Sequence, residues 1–309
     1  MAYKQLTKAP GEHSAWHKNT GGLSILITEG KGYYQELGQE ARLLHAGDIV
    51  EAGANIEHWL GAAPGCPMSY AVIGNPGETQ ETEALKEADY HAAVAESLKP
   101  LSSNTLSARE HAIVLIGAST GYGDYIALRE ALKAALEEGM TQNELKEILA
   151  QAYAYCGFPR AIRATQVLMG LIEECKSQGI DDPAGSDSVD VKAPQPKYRC
   201  GQEVLEKLTG VAPAEKPTGF NAFSPALDRF LMEHLFCDIF TRGVVSFKER
   251  ELATVSFIVG VGHGVEPMAK AHIGICLHLG WTREQIGSLL NDVSVLLGEE
   301  QVKAIRKLY

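Results

Sequence analysis

The residues best suited to chemistry lie near the C-terminal end of this 309-residue sequence. His272 falls on the apolar stripe of an amphipathic stretch, and Arg250-Glu251 opens the helix expected before it. An antiparallel helix pair would bring the Glu251 carboxylate toward the His272 imidazole. Imidazole and carboxylate in a partly dry site make a proton donor and acceptor with a tunable pKa. Arg250 adds a planar fork that matches a substrate carboxylate. A lone histidine on an apolar face is more often a satisfied core residue, so the pairing with Glu251 separates the two readings. Tyr153, Tyr155 and Arg160 are polar groups able to line a wall of such a pocket, although each residue type is more often structural. His234 and Asp238 read as an exposed pair one helical turn apart. Cys66, Cys156, Cys175, Cys200, Cys237 and Cys276 form no CxxC pair. Reduced thiols in a cytoplasm are the expectation for a chain too long to need staples.

The elements that must hold these groups come in two textures. Residues 1–75 alternate apolar and polar positions in short runs punctuated by Gly and Pro, as strands do. From about residue 82, Ala-, Leu- and Glu-rich amphipathic segments take over. A break between Gly179 and Gly219, with DDPAGSDSVD, KAPQP and APAEKPTG, reads as a linker holding one short helical piece near Glu203–Leu208. The division expected is 1–80, 85–178, 179–219 and 220–309. Shifting the sequence by 141 residues superposes the two helical segments without a gap. Arg109-Glu110 then meets Arg250-Glu251, Gly139-x-Thr141 meets Gly280-x-Thr282, and Ala131 meets His272. Leu128, Leu132, Ala135 and Leu136 fall on Ala269, Ile273, Cys276 and Leu277, a spacing that buries one helical stripe. Thr141 with Glu144 and Thr282 with Gln285 are spaced as capping boxes, and the glycines before them suit helix ends.

Bulk properties exclude some partners. The net charge is −11, with 45% hydrophobic and 22% charged residues. An acidic chain without a Lys/Arg cluster is a poor ligand for phosphate backbones, so nucleic acid is not an expected partner. The longest apolar run, Leu252–Val261, is too short to span a bilayer, and the N-terminus has no apolar signal core. A protein acting in the cytoplasm, away from membranes, is expected.

The stretches RELATVSFIVGVGHGVEPMAKAHIGICLHLGWTREQI, HLFCDIFTRG and GMTQNELKEILAQAYAYCGFPRA resemble carboxymuconolactone decarboxylases. The resemblance implies two all-α units, related to alkylhydroperoxidases, in a homo-oligomer that closes a ring with three tandem chains. It implies a cofactor-free enzyme acting on a small-molecule substrate, a carboxylated lactone or related oxo-acid. His272 would be the general acid, Glu251 the group that sets its tautomer, and Arg250 the substrate anchor. Peroxidases of this kin use a CxxCxxxH helix. Here the two cysteine positions are Val265 and Met268, and Cys276 has no resolving partner in sequence, so peroxidase chemistry is the weaker alternative.

PGEHSAWHKNTGGLSILITEG and GDIVEAGANIEHWLGAAP resemble the two motifs of a cupin, a small β-barrel. The fold class implied is therefore a cupin barrel followed by two helical units. His17 and His58 occupy histidine positions, whereas Asn19 stands for a second histidine and Leu23 for the acidic or amide ligand. Gly53 and Asn55 replace Pro and Gly of the second motif, both tolerant of left-handed turns. A divalent metal held weakly by His17, His58 and Asn19 is one expectation. A barrel that binds a small molecule as a sensor, or only holds the assembly together, is the other. Only Ala2–Thr7 precede the first motif, so early strands are short and an open edge or a neighbour's strand must compensate.

Overall fold

The computed structural model describes residues 2–99, 105–189 and 196–308. Eight strands come first: β1 (Ala2–Lys8), β2 (Trp16–Asn19), β3 (Leu23–Glu36), β4 (Arg42–His45), β5 (Ile49–Ala52), β6 (His58–Ala62), β7 (Met68–Gly74) and β8 (Thr79–Glu83). They form one antiparallel sheet ordered β1-β7-β3-β6-β2-β8, with β4 and β5 also on β3. Leu23, Ile25 and Ile27 alternate with less buried residues on β3 and face a core with Tyr34, Leu44, Val50, Leu60 and Met68. The long β3 pairs β5 and β7 with its first half and β4 and β6 with its second, which curls the sheet into a cupin half-barrel. Gly30 sits at that bend with φ 74°, where a Cβ would lie 1.8 Å from the Pro67 carbonyl oxygen. β1 and β8 stand at the two ends of the strand order, each paired on one side only.

The helices follow as α1 (Glu87–Ser97), α2 (Ala108–Tyr122), α3 (Tyr125–Glu137), α4 (Gln142–Ser177), α5 (Lys197–Thr209), α6 (Gly219–Phe223) and α7 (Pro225–Arg229). A π-helical stretch, Phe230–Ile239, and a 3-10 turn, Phe240–Arg242, lead to α8 (Phe247–Val261), α9 (Glu266–His278), α10 (Arg283–Leu297) and α11 (Glu299–Arg306). The capping boxes read from sequence close at Thr141/Glu144 and Thr282/Gln285. Two more, Ser107/Glu110 and Ser246/Glu249, start α2 and α8 and correct the gapless superposition. They place Ser246 opposite Ser107, two residues short of the shift of 141, because the turn before α9 is longer than the turn before α3. Arg250-Glu251 therefore corresponds to His111-Ala112, not to Arg109-Glu110.

The two helical halves meet along α2 and α8. Gly121 and Gly260 allow this approach: a Cβ on Gly121 would sit 2.4 Å from the Phe257 oxygen, and one on Gly260 2.5 Å from the Ala118 oxygen. Each half lends its third helix to the other's first. Arg250 of α8 bonds Glu147 and Gln151 of α4, while His111 of α2 bonds Asp292 of α10. His111 donates from Nδ1 to Asp292 and from Nε2 to the Leu98 carbonyl, both at 2.7 Å, so both ring nitrogens carry protons. Burial alone would lower its pKa, but the bond and charge of Asp292 outweigh burial and raise it. A raised folded pKa gives stability that is complete below the unfolded imidazole range and is lost as pH rises through the folded value. Melting temperature should fall as pH rises from the ordinary imidazole range through the raised folded value, and His111→Gln should flatten that slope; scanning calorimetry from neutral to alkaline pH checks it.

The segment after α4 is less free than a linker. The Pro183 and Ala184 carbonyls accept the Gln142 and Asn143 amides, capping the start of α4. Most of KAPQP lies outside the described residues. The short helical piece expected near Glu203–Leu208 is the full helix α5, packed on the π-helical stretch. There the expectation of six free thiols is corrected, since Cys200 is disulfide-bonded to Cys237 with Cα atoms 5.4 Å apart. Gly201 lets α5 approach Met232, which brings together two cysteines separated by 37 residues and by no recognisable spacing.

The half-barrel is fixed to the helices by polar and aromatic contacts. Tyr33 and Trp59 of the sheet join Leu85, Tyr90 and the helical core. The Tyr90 hydroxyl donates to the Ala62 carbonyl at 2.5 Å. Lys31, buried on β3, donates to Asp124 at 3.1 Å and to the Leu296 carbonyl at 2.8 Å. Among the described residues no helix is long and apolar enough to cross a membrane.

Candidate active site

Glu251 sits in the second turn of α8 and His272 midway along α9. Trp281 donates its indole N–H to the Lys248 carbonyl, tying the residues after α9 to the start of α8. The pair so aligned places His272 Nδ1 2.7 Å from Glu251 Oε2. Glu251 is fully buried and His272 retains 14% side-chain exposure. A carboxylate only accepts, so the shared proton belongs to Nδ1 and Nε2 is left for an outside partner.

A third group comes from the other half. Tyr155 lies just before a break in α4 at Gly157, φ 78°, with Pro159 two residues on. Its ring meets His272 edge-on at 5.6 Å and stacks on Phe257. Burial first, then the Glu251 charge, push the Tyr155 hydroxyl pKa up, so it stays a neutral donor. Its oxygen and Glu251 Oε1 are both buried without a hydrogen-bond partner. Two unpartnered buried polar atoms beside a partly exposed imidazole give a site able to donate, accept and hold a proton. Sequence reading named Tyr155 only as a wall residue; the break that aims it is signalled by Gly157 and Pro159. In the first half the positions matching Glu251 and His272 are Ala112 and Ala131, which carry no such chemistry.

Arg250 is not part of this constellation, which corrects its reading as a substrate anchor. It is 0% exposed, and its guanidinium bonds Glu147 Oε2 and Gln151 Oε1, both at 3.1 Å. Consecutive positions on a helix point about 100° apart, and the neighbour of Glu251 reaches Glu147 and Gln151 of α4. Arg160 bonds the Gly121 carbonyl, and Tyr153 stacks on Phe158 at 4.6 Å. His234 and Asp238 form a half-exposed pair at 3.3 Å, with Lys197 also on Asp238. The Cys156 and Cys276 thiols are poor nucleophiles. Burial pushes Cys156 up to about 12, partly opposed by Arg160, and burial then Glu251 raise Cys276 well above the usual thiol range.

A second centre lies inside the half-barrel. His17 and His58 pair across β2 and β6 with ring centroids 4.4 Å apart. Their Nδ1 atoms meet the Ala15 and Ile56 carbonyls at 3.0 and 2.9 Å, which leaves each Nε2 as a lone pair. They line a cavity of about 350 Å³ with Asn19, Leu23, Ser14 and Thr79. The donor set does not fit a divalent cation. Leu23 brings no oxygen, the Asn19 Oδ1 accepts from Thr79 at 2.8 Å, and among the described residues no acidic one lines the cavity. Two imidazoles fall short of the coordination such ions take.

Comparison with known proteins matches residues 88–169 to the carboxymuconolactone decarboxylase family. That segment, from α1 into α4, is similar to the family; Glu251 and His272 lie beyond it. A stretch of 73 residues is 34% identical to (R)-mandelonitrile lyase of Granulicella tundricola, covering 24% of this chain and 56% of that protein. The chain thus spans about half the length of that relative. An uncharacterised protein of Methanocaldococcus jannaschii is 27% identical over 95 residues, 30% of this chain and 89% of that one. Among solved structures, a cupin-like protein of Thermotoga maritima is 35% identical, covering 29% of this chain and 71% of that chain, with a TM-score of 0.29.

Proposed function

We propose that this chain, a cupin half-barrel joined to a carboxymuconolactone decarboxylase-family segment, is a lyase-type enzyme that moves a proton at His272 while a small carboxylated lactone or oxo-acid loses carbon dioxide. The observation that carries the reading is the 2.7 Å bond from His272 Nδ1 to the fully buried Glu251. In the reaction, the carbon–carboxylate bond breaks and its electron pair enters the conjugated carbonyl as a dienolate. His272, protonated at Nε2, delivers that proton to carbon, and Glu251 stabilises the imidazolium. The Tyr155 hydroxyl is suited to donate to the developing enolate oxygen. Neither carbon dioxide loss nor protonation in this scheme draws on a cofactor. The family match and the lyase name of the Granulicella relative support the reaction class, and the substrate within it is the part proposed.

His272→Ala should lower kcat by about a hundred- to ten-thousand-fold on whichever carboxylated lactone or oxo-acid turns over, with circular dichroism and sedimentation unchanged. Glu251→Gln should lose kcat with little change in KM. Full turnover by folded His272→Ala removes the assignment. The assembly proposed with this reading is a ring of three chains, about 100 kDa from three copies of 33.4 kDa. Exposed Phe158, Phe230 and Met268 support self-association. Sedimentation equilibrium should return that mass, and a 33.4 kDa species at micromolar concentration rejects the ring.

A further inference from the structure

We propose that the half-barrel cavity binds a small hydroxy acid with an apolar body, directly and without metal. Three features of the lining select that chemistry. The first is the imidazole pair: His17 and His58 have spent their Nδ1 hydrogens on backbone carbonyls, so two Nε2 acceptors stand side by side with ring centroids 4.4 Å apart. Two acceptors without a cation between them call for a donor, and a ligand hydroxyl supplies one. The second is charge. Lys4 and Lys8 line the same cavity, Lys8 with Glu12 3.9 Å away, and among the described residues no carboxylate lines it, so an anionic group is favoured there. The third is the remaining wall. Leu6, Leu23, Ile25, Leu60 and Val72 are apolar, and a cavity of about 350 Å³ suits a body the size of one ring or a branched alkyl chain.

Leu23 decides between metal and organic ligand. It begins β3 and lines the cavity with the two histidines, so a carboxylate at this position would share their space. With leucine there, the histidines gain a hydrophobic neighbour instead of a third ligand, and a cation would forfeit more hydration than two imidazoles return. The cavity is separate from His272, so its occupancy does not depend on the chemistry proposed there.

Calorimetric titration of the full chain after chelator treatment tests this with mandelate, phenylacetate and benzyl alcohol, which carry both groups, the carboxylate alone and the hydroxyl alone. Mandelate should bind about tenfold or more tighter than either of the others, one hydrogen bond or charge contact being worth that much. His58→Gln and His17→Leu should each weaken mandelate by about tenfold and leave phenylacetate nearly unchanged. His272→Ala should bind mandelate as the unaltered chain does, which separates this cavity from the proposed decarboxylation site. Leu23→Glu should invert the preference, losing mandelate and gaining at least about tenfold in nickel(II) affinity. The proposal is overturned if the chelator-treated chain takes up no mandelate, if mandelate binding ignores both histidine changes, or if the unaltered chain binds nickel(II) or manganese(II) alone as tightly as Leu23→Glu does.

Discussion

Replacing Lys31 with methionine should cost the folded chain about 3–5 kcal/mol, the usual result of stranding one member of a buried ion pair. Lys31 and Asp124 are 4% and 1% exposed, so neither charge has water to fall back on. Methionine would fill most of the space but leave the Asp124 carboxylate without a counter-ion and the Leu296 carbonyl without its donor. The loss would reach further than one bond. Asp124 also caps α3 by accepting the Ala127 amide, and Leu296 ends the last turns of α10, so one side chain from the sheet joins both helical halves. Urea denaturation followed by circular dichroism reads the effect as a lower midpoint. Adding Asp124→Asn to Lys31→Met should recover much of it, because asparagine still caps a helix and leaves no lone charge. A double variant as unstable as the single one would locate the cost in packing rather than charge.

What the sequence could disclose, and what it could not, divides along the range of the interactions. Thr141 and Glu144 are three residues apart and satisfy each other's backbone, so local spacing was enough to place the start of α4. The stripe Leu128, Leu132, Ala135 and Leu136 is likewise local, and all four are buried. His272 and Glu251 were legible as a pair because two adjacent antiparallel helices leave few other ways to meet. The register of α2 against α8 was not legible. Paired Arg-Glu dipeptides gave a persuasive gapless match, while the true marks were the serines that begin each helix. The Cys200–Cys237 bond and the Lys31–Asp124 pair span 37 and 93 residues, and no local pattern encodes which distant side chain will fill a given space. Arg250 failed for a related reason. Its type suits a substrate carboxylate, but burial decides its partner, and burial belongs to the whole fold.

That reassignment of Arg250 leads to the second large effect. Arg250→Met should destabilise the chain by about 3–5 kcal/mol while sparing substrate affinity in whatever folded protein remains. The guanidinium is fully buried in a group with Arg242, Glu147 and the equally buried Gln151. Glu147, itself 7% exposed in its side chain, would keep Arg242 at 2.8 Å but lose the inner of its two cations. Gln151 would also lose a donor, although its amide still reaches the Arg250 carbonyl and Thr254. Burial already pulls the Arg250 pKa down, with Glu147 opposing, so the charge is held at a cost that only its partners offset. A residue that anchored substrate would behave differently. Its loss would raise KM steeply and leave the melting temperature nearly unchanged. Measuring both on the same preparation, below the variant's melting transition, separates the two: a large fall in stability with constant KM places Arg250 in the joint between α4 and α8, and the reverse returns it to the substrate.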